Sequence, residues 1–300
     1  MKKTLILLIS IIGLSFAFIV IRNMTSQREN SASNAEVTSY QVSDNKTIYV
    51  YGKESLLEGN KKLPLVLFLN GTGRNPRQQA LESGWVAKAR EENIILIVPE
   101  YNDYATYSEV DYLVSVIEQA EQLFPVDTSR IYSLGFSNGG AISVALAARY
   151  PELLAGIAAY GWQVSLEEPK MGYQIPFQVT QGTNEATEYD NVGNPMVRSD
   201  TADSIRSLLL YNNMITNSTQ VDYASTPYWG YEADEQFSQT VNHTTWTISN
   251  YFKDDYAYPF AQFILIEGAD HRVHRSEADY SWDFLNHFMR QEDASLEESS

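Results

Sequence analysis

Residues Arg130 to Tyr150 constrain the fold more than any other stretch of the chain. A short β-type run, Arg130 to Leu134, leads into Gly135-Phe136-Ser137-Asn138-Gly139. An Ala-rich segment of helical character, Ala141 to Tyr150, follows directly. Strand and helix joined by so few residues demand a very sharp turn with Ser137 at its apex. Side chains two residues either side of such an apex would collide, and glycine removes them. Gly140 adds further clearance. The helix N-terminus then faces Ser137, where its dipole favours developing negative charge. Ser137 is therefore a candidate nucleophile, against the alternative of a chance Gly-x-Ser-x-Gly in a loop.

The flanking pattern agrees. Leu63 to Leu69 and Asn93 to Glu100 are apolar runs of the kind buried on both faces of a parallel sheet. Gln79 to Glu92 and Ser108 to Phe124 read as helices, the second with Val110, Leu113, Val114, Ile117 and Leu123 on or near one face. Lys46 to Gly52, Ile175 to Thr183 and the run before Glu267 add strands. Strands alternating with helices imply a mostly parallel sheet covered on both faces.

The N-terminus adds a location. Met1-Lys2-Lys3 precedes an uncharged apolar run from Thr4 to Ile21, just long enough to span a bilayer and without a clear cleavage site. Residues 1–22 read as a signal anchor in preference to a cleaved signal peptide, which places the rest of the chain outside the cytoplasmic membrane. Residues 23–39 read as a polar linker, 40–292 as one catalytic domain, and 293–300 as a frayed acidic tail.

Composition excludes several classes. A formal net charge of -17 disfavours nucleic-acid binding and adsorption on anionic lipid, so membrane contact is expected through the N-terminal segment alone. No cysteine is present, which removes disulfides and thiolate sites. No dinucleotide glycine motif, phosphate loop or metal-ligand cluster appears, so no cofactor and no metal are expected.

The segment Phe124 to Trp162, "FPVDTSRIYSLGFSNGGAISVALAARYPELLAGIAAYGW", resembles the extracellular poly(3-hydroxybutyrate) depolymerase and feruloyl-esterase-like group of α/β-hydrolases. "LPLVLFLNGTG", "PFQVTQGTNE" and "FILIEGADH" extend the resemblance over roughly residues 60 to 290. It implies the α/β-hydrolase fold and serine-esterase chemistry; a small cap insertion is instead a candidate reading of the aromatic, turn-rich stretch before His271.

A serine nucleophile needs a base, and the base an orienting acid. The four histidines are His243, His271, His274 and His287, all after Ser137. His271 ends an apolar strand and loop and matches the group's histidine segment, with His274 as its rival. The resemblance places the acid at Glu185, with Asp190 as the backup; Asp270 adjoins the histidine too closely in sequence to face it well. The residue after the nucleophile, Asn138, supplies one backbone donor of an oxyanion hole, and the resemblance implies Thr72 as the other. The chain departs from the group at Asn70-Gly71, where His-Gly is usual, and after His271, where Trp-Pro-Gly is missing.

Between Glu185 and His271 lies an aromatic, turn-rich stretch with Tyr228 and Trp229, candidates for a substrate wall together with Trp162. Ordinary packing of these rings is the competing reading. The expected function is hydrolysis of carboxylic esters, of small molecules or of acyl and aryl groups on polysaccharides. The alternatives are a non-catalytic cell-surface binding protein on the same scaffold and a serine peptidase.

Overall fold

The computed structural model describes residues 27–29, 37–42, 46–102, 107–161, 164–185, 188–189, 195–196 and 199–299. The apolar segment 4–21 lies outside them; among the described residues no helix is long and apolar enough to cross a membrane.

In chain order the strands are β1 (Gln27–Glu29), β2 (Val37–Gln41), β3 (Thr47–Tyr51), β4 (Leu63–Leu69), β5 (Ile95–Pro99), β6 (Val126–Phe136), β7 (Gly156–Tyr160) and β8 (Phe177–Gly182). They continue as β9 (Glu188–Tyr189), β10 (Pro195–Met196), β11 (Glu235–Val241), β12 (Thr244–Tyr251), β13 (Ala261–Ile266), β14 (Phe288–Arg290) and β15 (Leu296–Glu298). The helices are α1 (Glu54–Leu57), α2 (Pro76–Glu82), α3 (Trp85–Glu91), α4 (Val110–Leu123), α5 (Asn138–Arg149), α6 (Ser199–Tyr211) and α7 (Glu277–Leu285).

One sheet runs in the order β1-β2-β3-β5-β4-β6-β7-β8-β13-β12-β11. Its centre, from β5 through β13, is parallel, and both flanks are antiparallel. All seven residues of β4 are buried, and alternate ones serve different cores. Leu65, Leu67 and Leu69 pack with α4, α5 and α6 through Val110, Ile142 and Leu208. Val66 and Phe68 pack with α2, α3 and α7 through Ala80, Trp85 and Trp282. This is why the sequence shows a continuous apolar run rather than an alternating one. The chain reverses its order of strand addition at β4, so the loops after β4 and β6 open side by side into one crevice.

Four expectations change. The helix expected over 79–92 is two helices, α2 and α3. Gly84 has φ 86°, and a Cβ there would lie 2.3 Å from the Arg275 carbonyl oxygen. On α4 the fully buried stripe includes Val116 and Ala120, while Val114 and Leu123 are only half-buried. The tail read as frayed contains β15, paired with β14. It is secured by the buried Arg290, which donates to the carbonyls of Leu154 and Ala294 at 3.0 Å each and to that of Gln174. The stretch read as linker contains β1 and part of β2, which pair with each other and extend the edge of the sheet.

Candidate active site

Ser137 sits between β6 and α5 with φ 53° and ψ -121°. This is a conformation that a residue with a side chain rarely adopts. Neighbouring backbone explains why it persists. A Cβ at Gly135 would lie 2.5 Å from the Leu69 carbonyl oxygen, and one at Gly139 only 2.1 Å from the same atom. Both glycines are needed because β4 crosses directly beneath the turn. The Ser137 N–H donates to the Tyr160 carbonyl at 2.7 Å, which ties the apex to β7.

His271, in the loop after β13, places Nε2 2.9 Å from Ser137 Oγ. Its Nδ1 is hydrogen-bonded to Glu185 Oε2. Glu185 lies in the single turn after β8; its side chain is buried, and Oε1 accepts from the Gly182 N–H at 2.8 Å. The His271 ring packs against Phe136, with centroids 4.6 Å apart. The three side chains thus form one contact chain: hydroxyl, imidazole, carboxylate. The alternatives sit elsewhere. His274 turns its ring edge-on to Trp246, and Asp270 accepts from the Asn184 side chain at the surface. Asp190 lies outside the described residues, as does Trp162.

Gly161, directly after β7, escaped the sequence reading. A Cβ there would meet His271 Cε1 and Nδ1 at 2.9 Å and Glu185 Oε2 at 3.0 Å, and its φ is 77°. Only glycine leaves room for the imidazole–carboxylate pair. Gly161→Ala is expected to displace that pair and to lower kcat by about 100-fold, because misplacement by about 1 Å costs that much. The left-handed φ adds about 1–2 kcal/mol of destabilisation. Steady-state kinetics and a thermal melt of one preparation check both.

Asn138 is the first residue of α5, directly after Ser137. Thr72 lies in the loop after β4, beside Gly71, whose hypothetical Cβ would lie 3.3 Å from Ser137 Cβ. Both expected donors therefore come from segments that border Ser137.

A second carboxyl lies next to this assembly. Glu277, at the start of α7, is 3% exposed and accepts the His274 N–H at 3.0 Å. Burial, reinforced by the charge of Glu185, holds its pKa well above the ordinary 4.5. The folded state therefore keeps a proton that the unfolded chain releases near pH 4.5, and stability falls as pH rises above that value. Glu277→Gln is neutral in both states and keeps a carbonyl acceptor. Its melting temperature is expected to exceed that of the parent by more at pH 8 than at pH 5, which parallel melts at the two pH values would check.

Tyr228 and Trp229, expected as a substrate wall, line a cavity of about 310 Å³ together with Tyr231, Tyr251, Thr247 and Leu265. None of Ser137, Glu185 and His271 lines it. Trp229 packs on Phe263 with centroids 5.1 Å apart and is 5% exposed. Tyr228 and Trp229 both lie in the turns between α6 and β11, and Trp229's packing on Phe263 of β13 accounts for its burial. Among the described residues no cluster of three or more metal-ligating side chains is present.

No protein-family model matches the chain. NocK of Nocardia uniformis subsp. tsuyamanensis, a protein named as an esterase, is 29% identical over 126 residues, 38% of this chain and 36% of that protein. The bifunctional acetylxylan esterase/xylanase XynS20E of Neocallimastix patriciarum is 24% identical over 144 residues, 46% of this chain and 21% of that protein. The chain thus spans about a third and a fifth of the length of these relatives. Among solved structures, the acetyl xylan esterase from Aspergillus awamori superposes with a TM-score of 0.55 at 12% identity, over 88% of this chain and 98% of that one. With the parallel sheet and the covering helices of both faces, this agreement establishes that the chain has the α/β-hydrolase fold.

Proposed function

We propose that this chain is a serine esterase that hydrolyses carboxylic esters, with acyl or aryl groups on polysaccharides as its substrate class. Ser137 Oγ attacks the ester carbonyl carbon while His271 Nε2 takes its proton. The tetrahedral oxyanion is received by the N–H groups of Asn138 and Thr72. Collapse breaks the bond to the alcohol, which leaves with the proton from His271. Water, deprotonated by His271, then hydrolyses the acyl-enzyme and regenerates Ser137. Glu185 holds the imidazole with Nδ1 protonated and stabilises the imidazolium.

The observation that carries this reading is the contact chain from Ser137 through His271 to Glu185 on a strained turn. The esterase names of the partial relatives support the ester class, and one of them supports xylan-linked acetyl groups. Membership of the depolymerase and feruloyl-esterase-like group is part of the proposal, resting on the motifs of Phe124–Trp162. So is a location outside the cytoplasmic membrane with residues 4–21 as anchor, resting on the apolar run.

The test offers the full-length chain p-nitrophenyl acetate, butyrate and octanoate, methyl ferulate, acetylated xylan and a peptide p-nitroanilide. Ester turnover with an inert anilide is the expected result. Anilide cleavage without ester turnover would make the chain a peptidase, and inertness toward every substrate in a folded preparation would favour the binding-scaffold alternative.

A further inference from the structure

Two consecutive peptide groups join Asn70, the residue after β4, to Thr72, and side chains hold both. In the first, the Asn70 carbonyl accepts from the Tyr101 hydroxyl. On its opposite edge the Gly71 N–H donates to Gln79 Oε1 at 2.6 Å. In the second, the Gly71 carbonyl accepts from Asn70 Nδ2 at 3.0 Å and from the Arg74 N–H at 3.1 Å. Asn70 and Gln79 are almost wholly buried, at 2% and 4% exposure.

A trans peptide unit is planar, so its C=O and N–H point in opposite directions. Anchoring the Gly71 carbonyl to Asn70 and Arg74 therefore also fixes the direction of the Thr72 N–H. Rotation of that plane would exchange a donor for a carbonyl oxygen, which repels a developing oxyanion. A donor held in place before reaction needs no reorganisation when charge develops, which is where its catalytic value lies.

We propose that Asn70, Gln79 and Tyr101 are positioning residues that hold the Thr72 amide as a preformed oxyanion donor. The inference rests on the serine-esterase reading of the site. None of the three touches substrate: Asn70 sets the second peptide plane, and Gln79 and Tyr101 set the first. Sequence reading placed Asn70 only as a departure from the resembled pattern, and passed over Gln79 because a glutamine in an amphipathic helix carries no signal of what it faces.

The test compares full-length variants with p-nitrophenyl acetate and with a trifluoromethyl ketone that forms the tetrahedral adduct. Asn70→Asp matches the shape of asparagine but removes the donor to the Gly71 carbonyl. Gln79→Leu removes the acceptor for the Gly71 N–H, and Gln79→Glu retains it. Asn70→Asp and Gln79→Leu are each expected to lower kcat by about 10- to 100-fold with KM little changed, since complete loss of one oxyanion donor costs about 100- to 1000-fold. Ketone affinity should fall in parallel, and Gln79→Glu should recover most of both.

A purely structural role would lower the melting temperature while leaving kcat per folded molecule and ketone affinity intact. That result, or a Gln79→Glu as slow as Gln79→Leu, overturns the inference. If Ser137→Ala is inactive while Asn70→Asp and Gln79→Leu turn over like the parent, the inference alone fails. If Ser137→Ala turns over like the parent, the esterase reading fails and takes the inference with it.

Discussion

Ser137→Ala is expected to lower kcat for p-nitrophenyl acetate by about 10^5- to 10^6-fold while leaving the fold intact. The hydroxyl is the atom that forms the covalent bond, so its loss removes the acyl-enzyme route altogether. What remains is the acceleration that binding and the two backbone donors give to direct attack by water, about 10^3- to 10^4-fold over the uncatalysed reaction. The strained backbone at φ 53° is imposed by Gly135, Gly139 and β4 rather than by the hydroxyl, so melting temperature should barely change. A double variant with His271→Ala gives the sharper reading. Residues that act as one unit lose their effect together, so Ser137→Ala/His271→Ala should be no slower than Ser137→Ala alone. Additive losses would mean that His271, despite standing 2.9 Å from the hydroxyl, works independently of it.

Gly139→Ala carries the largest expected effect on stability. The added methyl would stand 2.1 Å from the Leu69 carbonyl oxygen, 2.5 Å from its carbon and 2.9 Å from the Asn70 carbonyl oxygen. All three are backbone atoms at the end of a central strand, with no rotamer through which to move aside. Relief requires α5 to lift off the sheet, or β4 to shift against β5 and β6. A loss of about 3 kcal/mol or more is expected, at the upper end of the cost of overpacking. Urea denaturation followed by circular dichroism would measure it. Gly73→Ala is the matched control: φ is 69°, and nothing lies within 4 Å of the added Cβ. Its cost should be confined to the left-handed conformation, about 1–2 kcal/mol. Equal losses at the two positions would show that contact with β4 adds nothing to the cost at Gly139, and would overturn this account.

How much of this was legible beforehand depended on the distance over which each feature is decided. The strand–turn–helix around Ser137 could be read because its parts are consecutive and its glycine spacing is dictated by a turn of three residues. The apolar runs of β4 and β5 could be read because burial on both faces leaves its mark on every residue. Ser137, Glu185 and His271 were singled out by motif and resemblance, and they meet in the structure. The break at Gly84 escaped because its cause is the Arg275 carbonyl, contributed by a distant loop. Gly161 escaped for the same reason: its neighbours His271 and Glu185 come from two other strand ends. For Trp229 the sequence left pocket wall and packing both open, because an aromatic side chain looks alike in sequence whether it stacks on a ligand or on Phe263. β15 was read as tail because three polar-flanked residues give no periodicity, and its partner strand and Arg290 supply the order.

The sequence by itself determined the layered α/β architecture, the sharp turn that presents Ser137, and the residues from which a base and an acid could be drawn. The first two follow from local sterics and from burial patterns, which act along a few consecutive residues; the base and acid candidates rest largely on the resemblance. Only the tertiary structure decided which histidine stands against the hydroxyl, that Gly161 makes room for it, and that Asn70, Gln79 and Tyr101 bond to the peptide groups before Thr72. Those are relations of a few ångströms between residues from different strand ends, set when the sheet brings its loops to one edge.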